Sequence, residues 1–341
     1  MSLDLPLIWV GLIAVAILAY VVLDGFDLGV GILFPFARSA RERDAMMNAI
    51  APYWDGNETW LVLGGGGLFA AFPAAYATLL PAFYLPLTLM LLALILRGVA
   101  FEFRQHGRAG GKAGWTFAFW LGSLAAAFAQ GLMLGGFIQG VVVRDGAFAG
   151  GAWDVISPYS LLVAVGLVLG YALLGGSWLM LRTEGALHAT ARHLTAFCAG
   201  CTAGLLFAVS LATLFVHERV AERWGVNAGV FDGSRLLPLL PIPLIGLLGF
   251  GLIARGLAKG SHHWPFAGAV LVFLSGYAGL AAGFFPYIVP YALTFREAAN
   301  QANALMFMLV GTSLLLPLIV AYTGWVYWVF RGKVGADAGY H

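Results

Sequence analysis

Charge is scarce in this sequence. Asp, Glu, Lys and Arg make up 10% of its 341 residues while 61% are hydrophobic, and mean hydropathy is +0.88. Soluble globular chains carry charge on about a quarter of their residues, so the scarcity excludes a soluble domain and implies an integral membrane protein. Net charge is only +2, which gives no basic field for nucleic acid. Cysteine is nearly absent. Cys198 and Cys201 stand in "CAGC" inside an apolar run, without the soluble βαβ setting of a redox pair, and small-residue helix packing accounts for them. The seven histidines are His106, His188, His193, His217, His262, His263 and His341, each in an expected loop or at a span end. A haem held between helices needs a histidine, or a histidine and a methionine, at mid-membrane depth, and this chain offers no central histidine. His262 and His263 form an isolated pair that suits a polar loop better than a metal site. The first residues, "MSLDLPLIWVG", lack the basic flank and small-residue cleavage site of a signal peptide, and are expected to open the first span.

Long apolar runs are what the chain has in abundance. A hydrocarbon core of about 30 Å needs about 20 apolar residues per helix, and nine stretches qualify: 7–36, 58–80, 82–104, 115–142, 157–182, 190–217, 235–257, 265–291 and 304–331. No connection is long enough for a soluble core, the longest outer one being 218–234. Any substrate chemistry therefore takes place within the membrane or on a partner. A grouping of four, four and one spans is compatible with the count, although no internal repeat or low-complexity tract marks it.

Basic residues orient these spans. After spans 1, 3, 5, 7 and 9 lie twelve: Arg38, Arg41, Arg43, Arg104, Arg108, Lys112, Arg182, Arg192, Arg255, Lys259, Arg331 and Lys333. The opposite connections hold five, Arg144, Arg219, Arg223, Arg235 and Arg296, and Arg97 stays inside span 3. Cytoplasmic loops carry the excess, which predicts the N-terminus outside and the C-terminus in the cytoplasm.

Ionisable groups inside spans are costly and are functional candidates for that reason. They are Asp24 and Asp27 in "LDGFDLGVG", Asp55 and Glu58 in "WDGNETW", and Arg97 and Glu102 in "LRGVAFEFR". Each acidic pair is three residues apart and so shares a helix face. Two like charges on one face in low dielectric cannot both ionise cheaply, which suits a proton relay. The same acids could instead pair with Arg97 and cap helix ends, Asp55 being a candidate N-cap of span 2. Gly25, Gly29 and Gly31 would let a neighbouring backbone approach closely. "GGGG" at 64–67 lacks the Lys-Ser or Lys-Thr of a phosphate loop, and is expected to be a close-packing or flexible point.

These stretches, "LDGFDLGVGILFPF", "NAIAPYWDGNETWLVLGGGGLFAAFP", "LRGVAFEFR" and "LRTEGALHATAR", together resemble subunit II of cytochrome bd-type quinol oxidases. "FFPYIVP" and "YTGWVYWVFRGKV" extend the likeness toward the C-terminus, and the "GNET" wording with the short chain looks most like the cyanide-insensitive branch. The resemblance implies an all-α integral membrane protein of about nine transmembrane helices, arranged as two four-helix bundles plus one peripheral helix in the bacterial inner membrane. It implies a heterodimer with subunit I, which would carry haem b, haem d or a b-type replacement, and the quinol site. It also leaves room for a small accessory subunit and a structural quinone. The complex would oxidise quinol at the outer face and reduce dioxygen to water with cytoplasmic protons.

Residue by residue, the resemblance implies proton-pathway roles for Asp55 in "WDGN", for the "DGFD" pair Asp24 and Asp27, and for Glu58 beside them. Trp60 in "NETW" matches an aromatic at the mouth of an oxygen path, and Arg97 and Glu102 match positions near the subunit contact. Tyr53 stands where some relatives have histidine before "WDGN", so a histidine-dependent step is not expected there. Two readings of another class stay open. A secondary transporter would also bury acids near a glycine-rich helix, and a purely structural membrane subunit would use them only to hold helices together.

Overall fold

The computed structural model describes residues 3–106, 111–227 and 230–334. Arg108 of the basic tally and His341 lie outside the described residues. Thirteen helices follow in order: α1 Leu5–Leu33, α2 Ala40–Asn48, α3 Trp54–Ala71, α4 Pro73–Ala82, α5 Tyr84–His106, α6 Lys112–Gln139, α7 Pro158–Arg182, α8 Gly185–Thr213, α9 Glu218–Arg223, α10 Gly233–Leu236, α11 Pro241–Lys259, α12 Trp264–Phe284 and α13 Ala302–Val329. Three two-stranded antiparallel hairpins sit in the connections, β1–β2 (Val143–Arg144 with Ala147–Phe148), β3–β4 (Val226–Asn227 with Val230–Phe231) and β5–β6 (Tyr287–Val289 with Leu293–Thr294).

Among the described residues, eight helices are long and apolar enough to cross a membrane. The remaining expected span, 58–80, the second in chain order, is not one helix. It divides into α3 and α4 at Phe72, whose backbone leaves the helical region (φ −133°, ψ 62°). Pro73 causes this, because it lacks an N–H and pushes the residue before it toward extended conformations. The carbonyls freed by the break find donors on the loop before α13. Asn300 gives its backbone N–H to Ala71 O at 2.9 Å and its side-chain amide to Ala70 O at 3.0 Å. In an apolar setting those acceptors would otherwise each be a serious penalty.

Packing sorts the helices into two groups that meet through α7. Helix α1 packs on α3 and α6, α6 on α5, and the start of α3 on α5 through the Trp54 and Phe101 rings, 5.1 Å apart. Helices α7, α8, α11 and α12 close a second ring, and α7 also lies against α1 and α6. Helix α13 touches α1 and α3 and leaves most of its surface exposed. This is the four, four and one arrangement.

Close approach at the centre depends on glycine. A Cβ on Gly29 would stand 1.8 Å from the Tyr171 carbonyl oxygen, and one on Gly175 would stand 2.3 Å from the Gly29 carbonyl carbon. Helices α1 and α7 therefore cross backbone to backbone, as small residues permit in lipid. In "GGGG" the chain is helical, with Gly64 and Gly67 turned to Ile17 and Ile13 of α1. Cys198 and Cys201 lie on α8 as free thiols.

Candidate functional site

Two buried carboxylates, a buried arginine and a buried amide come together between α1, α3 and α5, with α13 alongside. Asp24 and Asp27 lie in the second half of α1, both with no solvent exposure, and Arg97 of α5 is 1% exposed. Arg97 Nη1 donates to Asp24 Oδ1 at 2.7 Å, and the guanidinium also lies 5.9 Å from the centre of the Trp54 ring. Asp27 meets a neutral partner instead. The side-chain amide of Asn57, on α3, donates to Asp27 Oδ2 at 2.7 Å and to the Leu23 carbonyl at 3.3 Å. Asn57 Oδ1 in turn accepts from the Tyr327 hydroxyl of α13 at 2.8 Å. One buried amide thus joins three helices, and neither Asp24 Oδ2 nor Asp27 Oδ1 has a protein donor.

Sequence reasoning grouped Asp55 and Glu58 with these acids, and the structure grades them by depth. Asp55 is exposed, Glu58 half-buried and Asn57 between them fully buried, all on the first turns of α3. Glu58 lies within electrostatic reach of Arg97, Asp24 and Asp55. The expectation of Asp55 as an N-cap fails. Tyr53 occupies that position without a side-chain cap bond, and Asp55 falls one residue inside the helix. The reason is that the turn 50–53 already winds toward the helix, with Trp54 N bonded to Ile50 O at 3.1 Å.

Trp60 is buried against Ala16 and Tyr20 of α1, with Leu316 of α13 beside it, so it sits between helices rather than at a span's edge. Glu102 is exposed on α5, whereas Arg97 of the same helix is buried.

Three features escaped sequence reasoning. Arg104 and Arg182, counted there as loop charges, are each 3% exposed. Arg104 bonds to Asp44 at 2.8 Å and lies 5.1 Å from the Phe34 ring centre, and Arg182 stacks over Tyr53 and Trp178. A buried chain also runs from Tyr171 through Gln130 to Tyr20, with both hydrogen bonds at 2.7 Å. The polar letters Gln130, Tyr20 and Tyr171 were the available signal, but each alone reads as a tolerated residue in an apolar helix.

His188, His217 and His262 make local contacts near helix ends. His188 and His262 both point Nδ1 at the Met180 carbonyl, at 3.1 and 3.0 Å, where α7 ends. His217 stacks on Tyr291 in a connection, with ring centres 3.6 Å apart. These are helix-end positions, not a facing pair at mid-membrane depth.

The chain matches the family described as cytochrome bd terminal oxidase subunit II over residues 5–330. It is 29% identical to cytochrome bd-I ubiquinol oxidase subunit 2 of Escherichia coli K12, covering 97% of this chain and 95% of that one. It is 30% identical to cytochrome bd ubiquinol oxidase subunit 2 of Bacillus subtilis, covering 96% of each. Its fold superposes on a chain of the bd oxidase structure from Geobacillus thermodenitrificans with a TM-score of 0.77 at 18% identity, over 96% of this chain and 99% of that one. With that match running through every transmembrane helix and the buried Asp24–Arg97 and Asp27–Asn57 contacts, this chain belongs to the cytochrome bd terminal oxidase subunit II family.

Proposed function

We propose that the chain works as the haem-free half of a quinol oxidase in the bacterial inner membrane, beside a subunit I that holds haem b and haem d or a b-type replacement. Quinol is oxidised and dioxygen reduced to water on that partner, and this chain brings protons toward the reaction from the cytoplasmic side. Its N-terminus lies outside and its C-terminus inside. The full-length family match supports the assembly, and the donor set supports placing the haems elsewhere, since His188, His217 and His262 are engaged near helix ends and His193 is exposed on α8. Family membership over residues 5–330 also weighs against the transporter reading.

The graded burial of the acids carries the proton reading. Asp55 is exposed on this chain, Glu58 is partly withdrawn, and Asp24 and Asp27 are fully enclosed. The two buried acids have different tasks. Asp24 is matched by Arg97 and holds α1 to α5. Asp27 is held by a neutral amide that donates to Oδ2, and its Oδ1 has no protein donor, so that oxygen is free to carry a proton. Asp27 is therefore the buried group suited to gaining and losing a proton, with Asp55 as the exchange point with water and Glu58 between them. Trp60, carried by α3 and packed against α1 with Leu316 of α13 beside it, borders the route proposed for oxygen.

Asp55→Asn tests this reading, because it keeps shape and removes the titratable proton. The heterodimer is expected to assemble with all its haem absorbance while turnover falls about 10²-fold or more, within the range of a lost proton-transfer group. Asp55→Glu keeps more activity. Wild-type turnover in an assembled Asp55→Asn complex across several pH values would remove the relay assignment.

A further inference from the structure

The end of the molecule that carries the chain's N-terminus has few basic residues, yet three of them gather at one cavity. Arg219 and Arg223 of α9 and Arg235 of α10 line a space of about 240 Å³ closed on its other side by Phe285, Pro286 and Tyr287 beyond α12. The arginines are held in place largely by neutral oxygens. Arg219 donates to the Tyr287 hydroxyl at 2.6 Å and lies over that ring, and Arg223 donates to the Phe285 carbonyl. Among the described residues, Arg235 is the arginine of the three with a carboxylate at ion-pairing distance, Asp232 at 3.3 Å. Each guanidinium has five N–H donors in a fixed fork, so Arg219 and Arg223 each spend one and keep the rest. Glu222 also lines the cavity. With Arg235 neutralised by Asp232, two arginines against Glu222 leave one positive charge.

One uncompensated guanidinium charge, spare forked donors and an apolar wall are what a phosphodiester with attached acyl chains requires. The apolar wall decides between a lipid and a free anion. Phe285 is 53% exposed while lining the cavity, and Leu237, two residues after Arg235, is 68% exposed. Phe285 directly follows α12 and Leu237 shortly precedes α11, two helices long and apolar enough to cross a membrane. We infer that this cavity binds the phosphate of an anionic phospholipid of the outer leaflet, with Arg219 and Arg223 on the phosphate and Phe285 against the glycerol and first acyl carbons. The inference needs the chain in its membrane and does not depend on the proton assignments, because lipid retention is read separately from turnover.

The test uses the whole detergent-purified oxidase complex, stripped of lipid and titrated with phosphatidylglycerol in mixed micelles. Bound lipid is counted by native mass spectrometry, and thermal unfolding is followed in parallel. Wild type should retain the lipid and gain stability. Arg219→Gln with Arg223→Gln should weaken binding about ten-fold or more, the equivalent of losing one charged hydrogen bond, while Arg144→Gln at the same end leaves it unchanged. Equal binding by the double variant would overturn the site. Equal stabilisation by inorganic phosphate would overturn the lipid in favour of a free anion. Glu222→Gln keeps the test alive if the double variant does not assemble: it removes the opposing carboxylate and should tighten binding, and unchanged or weaker binding would again overturn the inference.

Discussion

Helix α1 makes one ion pair at its exposed start and one in its buried interior, and the better-shaped pair is the one that costs less to break. At the helix start, Asp4 takes two hydrogen bonds from Arg296, at 2.6 and 3.2 Å, with the side chains 35% and 61% exposed. In the interior, Asp24 takes one bond from Arg97 at 2.7 Å, with both side chains essentially sealed, and an oxygen of one and a nitrogen of the other are left without protein partners. Geometry alone would rank the outer pair first. Environment reverses the order, because an effective dielectric of about 20 instead of about 80 makes the same pair about four times stronger, and because a charge stripped of water cannot tolerate losing its partner. The buried pair specifies how α1 and α5 meet, while the outer pair only trims a helix end.

The largest effect expected from this difference is for Arg97→Gln. It leaves Asp24 as an unmatched charge in the interior, and breaking a buried pair in this way costs about 3–5 kcal/mol. The assembled complex should nearly vanish from membranes, as read by haem absorbance and by the amount of this chain retained with its partner. Adding Asp24→Asn should recover much of the loss, since the orphaned charge is then gone. Normal yield of Arg97→Gln alone would mean that the interior is wetter than the burial of these side chains implies.

That buried pair also marks the boundary of what sequence could disclose. An arginine and two aspartates inside apolar runs are conspicuous because lipid tolerates so few charges, so Asp24, Asp27 and Arg97 stood out by position alone. Their pairing joins residues 73 apart in the chain, which no helical period encodes. Burial of Arg104 was hidden for the same reason, since its partner Asp44 is 60 residues away. The helices themselves were legible wherever apolar length was the only requirement. The second span is broken into two helices because its apolar stretch crosses Pro73, and the local proline rule overrides the longer hydropathy signal there. Asn300, which repairs that break, gave no warning at all, since an asparagine in a loop is ordinary until its carbonyl partners are known. The depth order of Asp55, Glu58 and Asp27 needed the packing of α3 on α1.

A middle case tests the amide that bridges the interior to the periphery. Tyr327→Phe removes the hydroxyl that α13 gives to Asn57 and leaves the aromatic packing against Tyr53, whose ring centre is 4.4 Å away. The loss should be about 1 kcal/mol, typical of one neutral hydrogen bond. Helix α13 should nevertheless stay attached. Tyr53 still donates to the Phe330 carbonyl at 2.7 Å, and Lys333 reaches the Met180 and Thr183 carbonyls beyond it. A small drop in thermal midpoint with unchanged yield is the expected result. A loss as large as that of Arg97→Gln would mean that Asn57 itself, and with it Asp27, collapses without the tyrosine.

The smallest effect belongs to Asp4, and its dependence on pH and salt separates it from the interior pair. The Arg296 hydrogen bonds, with help from the Leu7 N–H, hold the Asp4 carboxyl below its ordinary value of 3.8. A carboxyl whose folded value lies below its unfolded one contributes stability at pH above the unfolded value, and that contribution is lost as pH falls through the folded value. Asp4→Asn isolates the charge, since asparagine is as good an N-cap for α1 as aspartate. At neutral pH and low salt the variant should unfold at a slightly lower temperature than wild type. The gap should narrow below pH 3.8 and close beneath the lowered folded value, and at neutral pH high salt should shrink it as well, because exposed charges are screened. The Arg97→Gln defect should persist at the same salt, because the buried pair lies beyond the reach of counterions. If the Asp4 gap proves indifferent to both pH and salt, the outer pair contributes nothing through its charge. If it matches the Arg97→Gln loss, exposure has not separated the two ends of α1.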